Sequence, residues 1–242
     1  MRILGRIGMM LVVLAGAAAP AVAATPADAK PLKIGIIGTG KIGGTLAQAW
    51  AKAGHELLLS SRHPSELKKL AESLGPKVHV GTPRAAAAFG EVVLVSIPYG
   101  AEPQLGKDLA RELKGKILID TGNPYPNRDG PMAVDAQRKG TGVASAEFFP
   151  GTRLVRAFNA ISYIALGKEA HRPGELYGIP LAGDDAQALA VAERLVRDAG
   201  FDPVIVGGLA RAKDFDVGTP VYVKLLTAAQ LRQQLNLVAP GH

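Results

Sequence analysis

The sequence contains no cysteine, and this absence excludes several kinds of chemistry. Without a thiol, the 242-residue chain can form no disulfide, bind no metal through thiolates and use no cysteine nucleophile. The five histidines show no HxxH or HExxH spacing, which are the arrangements typical of histidine metal sites. We therefore expect no metal centre and no thiol chemistry.

Aromatic residues are also scarce, at 5% of the chain, and the Lys and Arg residues are dispersed rather than gathered into runs. The formal net charge of +7 falls to +5 when Arg2 and Arg6 are left out. Nucleic-acid-binding proteins usually concentrate basic residues on one surface and interleave them with aromatic residues. We expect no nucleic-acid partner, and a mildly basic surface suffices to attract a polyanionic small molecule.

The N-terminus carries the long apolar run of the sequence. Arg2 and Arg6 precede an apolar run over 7–19, and Ala21-Val22-Ala23 then provides the small residues that a signal peptidase reads. This pattern predicts a signal peptide over 1–23, cleaved after Ala23. The mature protein is then expected to be periplasmic or secreted, with no stable membrane span.

Two alternatives to this interpretation stay open. An uncleaved N-terminal anchor would need a longer apolar run, and Pro20 interrupts this one. A signal that does not function would leave the chain in the cytoplasm. Residues 24–31 are expected to form a linker to the folded part.

The stretch that organises the rest of the chain begins with an apolar run over 32–37 and continues as Gly38-Thr39-Gly40-Lys41-Ile42-Gly43. Gly38 permits a sharp turn, Gly40 lets the backbone approach a pyrophosphate, and Gly43 lets the following helix pack closely. The helix N-terminus offers free N–H donors and the positive end of the helix dipole. The pattern predicts the first strand, turn and helix of a dinucleotide-binding fold, with an ordinary glycine turn as the alternative.

The residues after the second predicted strand, over 56–59, indicate which nucleotide is bound. Sites for NAD usually place Asp or Glu there, whereas the additional 2′-phosphate of NADP needs donors and positive charge. The sequence has Ser60-Ser61-Arg62 at this point, followed by His63, Lys68 and Lys69. NADP is therefore predicted in preference to NAD, and a solvated basic turn is the alternative.

Three later predicted strands end in residues suited to the walls of a nicotinamide pocket. The carboxyl ends of parallel strands form the edge at which α/β sheets bind ligands, although Asn and Pro are also common turn residues. The predicted site therefore also includes Ser96, Ile97, Pro98, Asn123, Pro124, Ala157 and Asn159.

The expected fold is α/β, with a Rossmann-like doubly wound parallel sheet over 32–160 and a small α/β C-terminal lobe over 161–242. In that lobe, Asp184 is expected to cap a helix and residues 219–235 to form the closing helix. His171 lies in a loop of this lobe and is a candidate contact for the substrate.

Taken together, the motifs resemble those of one known family. The sequence is similar to the NADP oxidoreductases that depend on the deazaflavin coenzyme F420, which have related domains in metalloreductases. The similarity covers Leu32 to about Leu226 and is carried by IGIIGTGKIGGTLA with SSR, VVLVSIPY, LIDTGNPY, LVRAFNAIS and PLAGDDAQALAVAERLVRDAGFDPVIVGGLARA. It implies a Rossmann-like domain with a small C-terminal lobe and an acceptor at the junction of the two.

The resemblance also implies roles for individual residues. The NADP phosphates would be held by Thr39, Gly40, Lys41, Ile42, Ser61 and Arg62, and the nicotinamide would be surrounded by Ile97, Pro98, Asn123 and Ala157. The N-terminal signal and the segment 162–177 depart from the family pattern, which leaves the acceptor open.

Hydride transfer between NADPH and a flavin-like ring requires close contact and exclusion of water, and it needs no protein nucleophile. We therefore expect an NADP-dependent oxidoreductase without a catalytic side chain, acting on a small-molecule redox acceptor such as coenzyme F420 or a flavin. A small-carbonyl or metal-chelate reductase on the same scaffold is the second hypothesis. A non-catalytic exported nucleotide-binding protein is the third, and a homodimer is left open.

Overall fold

The computed structural model describes residues 30–237, and of these Pro31 to Leu237 belong to one compact unit. The predicted signal peptide lies outside the described residues. Within 30–237, no helix combines the length and the apolar character that a membrane crossing requires.

Within residues 30–237, eight strands form one sheet in the order β3-β2-β1-β4-β5-β6-β7-β8. The first six strands run parallel, β7 is antiparallel to β6, and β8 is parallel to β7. The strands are β1 (Lys33–Ile37), β2 (Glu56–Ser60), β3 (Val78–Gly81), β4 (Val92–Val95), β5 (Ile117–Asp120), β6 (Arg153–Arg156), β7 (Gly178–Gly183) and β8 (Asp202–Gly207).

Helices connect these strands, together with three short 3₁₀ segments at Pro64–Leu67, Tyr99–Ala101 and Leu209–Phe215. The helices are α1 (Lys41–Lys52), α2 (Lys68–Leu74), α3 (Pro83–Phe89), α4 (Glu102–Asp108), α5 (Ala110–Leu113), α6 (Pro126–Asp129), α7 (Pro131–Lys139), α8 (Thr141–Phe148), α9 (Tyr163–Lys168), α10 (Ala186–Asp198) and α11 (Ala228–Gln234).

The centre of the sheet is buried on both faces, which explains its apolar sequence. All four residues of β4 are buried, as are the last four of β1. Strands with both faces covered by helices are typical of parallel α/β sheets. The strand order reverses between β1 and β4, and ligands bind at such switch points. The predicted Rossmann-like α/β fold is confirmed.

The helix that faces the switch point is fixed from its far end. Trp50 on α1 is fully buried and donates its Nε1–H to the carbonyl of Leu195 on α10 at 2.9 Å. Its ring also contacts Phe158 edge-on, with centroids 6.1 Å apart. Because α1 is held in this way, its N-terminus has a defined position at the carboxyl edge of the sheet.

The predicted C-terminal lobe continues the main sheet. Its strands β7 and β8 extend the sheet through the antiparallel pairs Val155 with Gly183 and Arg156 with Ala182. The N-terminal end of β7 therefore lies on the same edge as the carboxyl ends of β1 to β6.

Two local predictions for this part of the chain were wrong. The N-cap of α10 is Asp185, whose carboxylate accepts the N–H of Ala188, while Asp184 accepts the N–H of Leu209. The closing helix begins only at Ala228, because Thr227 pairs with Tyr177 in an isolated β-bridge and forms a capping box with the following residues.

Gly35 offers a test of how closely the layers pack. It lies in β1 under α3, and a Cβ built on it would be 2.0 Å from the carbonyl oxygen of Ala86. We expect Gly35→Ala to lower the free energy of unfolding by about 1–3 kcal/mol, because the backbone of α3 must move away from β1 to make room for the methyl group. Urea unfolding measures this change.

Gly44→Ala is the matched control, since Gly44 lies inside α1 and its nearest neighbour would be 3.9 Å from the new Cβ. Alanine is the better helix former, so this variant should gain up to about 1 kcal/mol. Equal losses in the two variants would contradict the packing argument.

Candidate functional site

The turn between β1 and α1 has the geometry of a phosphate-binding loop. Gly38 has φ of 95°, and a Cβ on it would be 2.3 Å from the carbonyl oxygen of Ser96. A Cβ on Gly43 would be 2.2 Å from the carbonyl oxygen of Gly38. Both glycines are therefore required by the turn itself and by the close approach of α1.

Gly40 has a different reason to be glycine. A Cβ built on it would meet no described atom within 4 Å, so packing against the protein does not exclude a larger residue. Gly40 is also the N-cap of α1, where no side chain caps the helix and no acidic residue occupies the first turn. Open space above uncapped N–H groups, at the positive end of a helix dipole, fits a diphosphate.

The first cleft lies beside this turn and has a volume of about 520 Å³. It brings together half of the predicted site residues, namely Gly38, Thr39, Gly40, Ser61, Arg62, Ser96, Ile97 and Pro98. Its lining also includes His63, which the sequence placed nearby, and residues that sequence reasoning missed, among them Glu66, Pro83 and Gln104.

Ser61 and Arg62, which follow β2, line this cleft, whereas Ser60 at the end of β2 does not. Arg62 is exposed, and over residues 30–237 it makes no ion pair with a carboxylate, so its guanidinium is available to a ligand. Ser61 lies beside it and accepts the N–H of His63 at 3.0 Å. The hydroxyl of Ser60 instead turns inward and donates to the carbonyl of Ile36 at 2.8 Å, so Ser60 serves the scaffold.

The second cleft adjoins the first and shares Ser96, Ile97 and Pro98 with it. Its volume is about 230 Å³. The predicted residues Lys41, Ile42 and Asn123 line it, together with Thr121, Gly122, Tyr125 and Arg128. The two clefts therefore form one continuous surface along the carboxyl edge of β1, β4 and β5.

Three predicted residues lie behind the second cleft rather than in its lining. Ala157 and Asn159 are buried, and the carbonyl of Asn159 accepts a hydrogen bond from Asn123 Nδ2 at 2.8 Å. The carbonyl of Pro124 accepts one from Gln137 at 3.0 Å. These residues hold the wall in place.

His171 lines neither cleft. Its N–H donates to the carbonyl of Gly200 at 3.0 Å, at a φ of 54°. The structure therefore gives no support to the expected substrate contact.

Sequence reasoning missed a pair of tyrosines at the mouth of the second cleft. The hydroxyls of Tyr125 and Tyr222 are 2.6 Å apart, and Asn123 Nδ2 lies 3.4 Å from the Tyr222 hydroxyl. Tyr125 follows the Asn-Pro turn directly, but Tyr222 is 97 residues away. No local pattern in the sequence points to their contact.

A buried charge cluster supports the floor of the second cleft. Arg156 is fully buried and donates to Asp120 Oδ2 and to the carbonyl of Gly122, both at 2.6 Å. Asp120 Oδ1 accepts the N–H of Gly122 at 2.7 Å. The signal in the sequence was a charged residue at the end of each of two apolar strands, Asp120 in β5 and Arg156 in β6.

Glu102 is the unusual member of this cluster. It is fully buried, and neither carboxylate oxygen has a hydrogen-bond partner among the residues that the structure describes. Burial, and then the neighbouring charge of Asp120, raises the pKa of Glu102 well above its ordinary value of 4.5. The folded protein therefore retains a proton here that the unfolded chain releases.

The Glu102 proton makes stability depend on pH in a defined direction. Because the folded state binds the proton more tightly, the free energy of unfolding falls as pH rises above about 4.5, until the folded pKa is passed. We expect Glu102→Gln to lose less stability than the wild type between about pH 5 and about pH 8, since glutamine has no proton to release. Urea unfolding at several pH values measures this, and parallel curves for the two proteins would contradict it.

Comparison with known proteins agrees with this site. Residues 33–124 match the family model described as NADP oxidoreductase, coenzyme F420-dependent. The F420-dependent NADP reductase of Methanothermobacter thermautotrophicus is 31% identical over 208 residues, which cover 80% of this chain and 89% of that protein.

Two further comparisons extend the picture. Metalloreductase STEAP3 of Rattus norvegicus is 30% identical over 184 residues, which are 76% of this chain but only 36% of that longer protein. A crystal structure of a hypothetical protein from Sinorhizobium meliloti superposes with a TM-score of 0.71 at 24% identity, covering 82% of this chain and 96% of that one. This last similarity concerns the fold alone.

Proposed function

Because this chain belongs to the family of NADP oxidoreductases that depend on coenzyme F420, we propose that it transfers hydride between NADPH and a flavin or deazaflavin acceptor. The chain is an NADP-dependent oxidoreductase, and the proposal concerns its acceptor. One observation carries it: the diphosphate turn and the second cleft are continuous through Ser96, Ile97 and Pro98. A dinucleotide bound along this edge would present its nicotinamide beside an open, aromatic-walled space.

The residues of the first cleft fit NADP part by part. The uncapped N–H groups at the start of α1 would bind the diphosphate above Gly40. Arg62 and Ser61 would bind the 2′-phosphate through charge-assisted hydrogen bonds, and His63 lines the same end of the cleft.

The residues of the second cleft fit the nicotinamide and an acceptor. NADPH supplies a hydride when bound, and the protein's part is to orient the ring and exclude water. The floor over 121–123 is held rigidly, because Arg156 and Asp120 bind the backbone of Gly122 on both sides. The cations Lys41 and Arg128 at the rim suit an acceptor that carries negative charge.

Nucleotide preference tests the role of Arg62. We expect the wild type to bind NADPH more tightly than NADH, and Arg62→Ala to remove roughly 1–3 kcal/mol of that preference, which is the contribution of a charge-assisted pair. Titration of each nucleotide by fluorescence measures both affinities. Lys69→Ala is the matched control, because Lys69 carries the same charge nearby but does not line the cleft. Equal affinity of the wild type for the two nucleotides would defeat the proposal.

Oxidation of NADPH tests the acceptor. We expect the protein to oxidise NADPH with coenzyme F420 or riboflavin as acceptor. The decrease in NADPH absorbance measures this turnover. If the protein instead oxidises NADPH with a ferric chelate or a small carbonyl compound, the result favours the second hypothesis, a metal-chelate or small-carbonyl reductase with the same fold. Nucleotide binding without turnover by any of these acceptors would favour a non-catalytic protein.

Export is a separate proposal that rests on the pattern of residues 1–23. We expect the mature chain to begin at Ala24 and to appear in the periplasmic or secreted fraction. Cell fractionation followed by N-terminal sequencing measures this, and an intact N-terminus in the cytoplasmic fraction would contradict it. An exported chain would have to acquire its nucleotide where we expect little NADP, so the nucleotide content of the purified protein is informative as well.

A further inference from the structure

We propose that the hydroxyl of Tyr125 donates the proton that accompanies hydride transfer, and that Tyr222 positions this hydroxyl. The inference rests on the proposed reduction of a flavin-type acceptor and assigns to it residues from two distant parts of the chain.

The chemistry requires one proton in addition to the hydride. NADPH gives up a hydride, which carries two electrons, and becomes NADP⁺, while a flavin-type ring takes up the hydride and one proton. The proton must come from the protein or from solvent, and a positioned acid accelerates such a step by about a hundredfold or more.

The second cleft offers few groups that can give this proton. Of the residues that line it, Lys41, Tyr125 and Arg128 have ionisable side chains, and this lining contains no histidine and no carboxylate. Arg128 is unsuitable because a guanidinium does not release its proton and is paired here with Asp129 at 2.8 Å. Lys41 extends to the Tyr163 ring, 4.5 Å from its centroid, at the end near the diphosphate turn. Tyr125 remains.

The hydrogen bonds around the pair define where the protons point. Asn123 Nδ2 donates a hydrogen bond to the Tyr222 hydroxyl oxygen, 3.4 Å away. The Tyr222 O–H can then donate to the Tyr125 oxygen, 2.6 Å away, and the Tyr125 O–H is left to point into the cleft. Burial, and then the hydrogen bond with Tyr125, raises the pKa of Tyr222 above its ordinary value of 10.0. The nearby charges are Arg156, which lowers this pKa, and Asp216, which raises it, and the phenol stays protonated at neutral pH.

A rigid frame holds Tyr125 in this position. Its N–H donates to Asp129 Oδ2 at 2.9 Å, and the Arg128 guanidinium lies 5.0 Å from its ring centroid. Arg128 also donates to the carbonyl of Asn123 at 2.8 Å, so one side chain links both residues. With 37% of its surface exposed, Tyr125 still reaches solvent and a ligand in the cleft.

Tyr222 is held by a strained turn. The next residue, Val223, has φ of 52°, which is rare for a β-branched side chain, and its N–H donates to the carbonyl of Ala160 at 2.9 Å. Backbone strain of this kind is common at functional sites. Here the strained turn fixes the Tyr222 hydroxyl against Tyr125. After it has given up its proton, Tyr125 regains one from solvent, to which it is exposed.

The experiment compares Tyr125→Phe and Tyr222→Phe with Tyr177→Phe, a tyrosine that stacks on Arg172 and lines neither cleft. The full chain is mixed rapidly with NADPH and coenzyme F420, and the single-turnover rate and its solvent deuterium isotope effect are followed across pH. We expect Tyr125→Phe to slow reduction by about a hundredfold and to make the rate fall as pH rises, because the proton must then come from solvent. We expect Tyr222→Phe to slow reduction by about tenfold and the control to behave as the wild type. Phenylalanine keeps the ring, so the affinity for NADP⁺ should be unchanged in all three.

A second measurement needs no acceptor. Ultraviolet titration of tyrosinate in the free protein should show a lower pKa for Tyr222 in Tyr125→Phe than in the wild type, because the hydrogen bond is lost while burial, the larger cause of the raised pKa, remains. An unchanged titration, an unchanged rate in Tyr125→Phe, or an equal loss in the Tyr177 control overturns the inference. Failure of the wild-type chain to oxidise NADPH at all is a different result, and it overturns the proposed function together with this one.

Discussion

The site depends on one carbonyl oxygen. Ser60, the last residue of β2, accepts the N–H groups of Gly38 and Thr39 and the hydroxyl of Thr39, each at 3.1 Å. This contact ties the diphosphate turn to the strand end that leads into Ser61 and Arg62. The parts proposed to recognise the diphosphate and the 2′-phosphate are thereby fixed to each other, so that one dinucleotide can contact both without reorganising the loop.

A second constraint supports the other end of the site. Ion pairs buried as deeply as Arg156 with Asp120 contribute little net stability, because removing two charges from water offsets their attraction. Both partners also bind the backbone of Gly122, however, and a third carboxylate, Asp216, lies 3.7 Å from Arg156. We therefore interpret the cluster as fixing the position of the backbone at Gly122, which forms the floor of the second cleft.

The sequence predicted what depends on local geometry. Gly38 and Gly43 were predictable because a turn and a close helix approach exclude Cβ atoms, and the apolar β4 because both of its faces are covered. Other features were not predictable, because a shift of one residue along the chain changes them. Examples are the inward hydroxyl of Ser60 and the position of the helix cap at Asp185 rather than Asp184. The start of α11 was visible as Thr227-Ala-Ala-Gln230, a capping-box pattern that the apolar spacing around it concealed.

The acceptor side is harder to predict for a topological reason. The proposed nucleotide contacts lie in turns that each follow one strand. Tyr222, in contrast, lies in the turns between the 3₁₀ segment Leu209–Phe215 and α11, and it contacts Tyr125 from there. The family match ends at residue 124, one residue before Tyr125. The two tyrosines proposed to act on the acceptor therefore lie outside the segment that matches the family model, whereas the turn after β1 and the residues after β2 lie inside it.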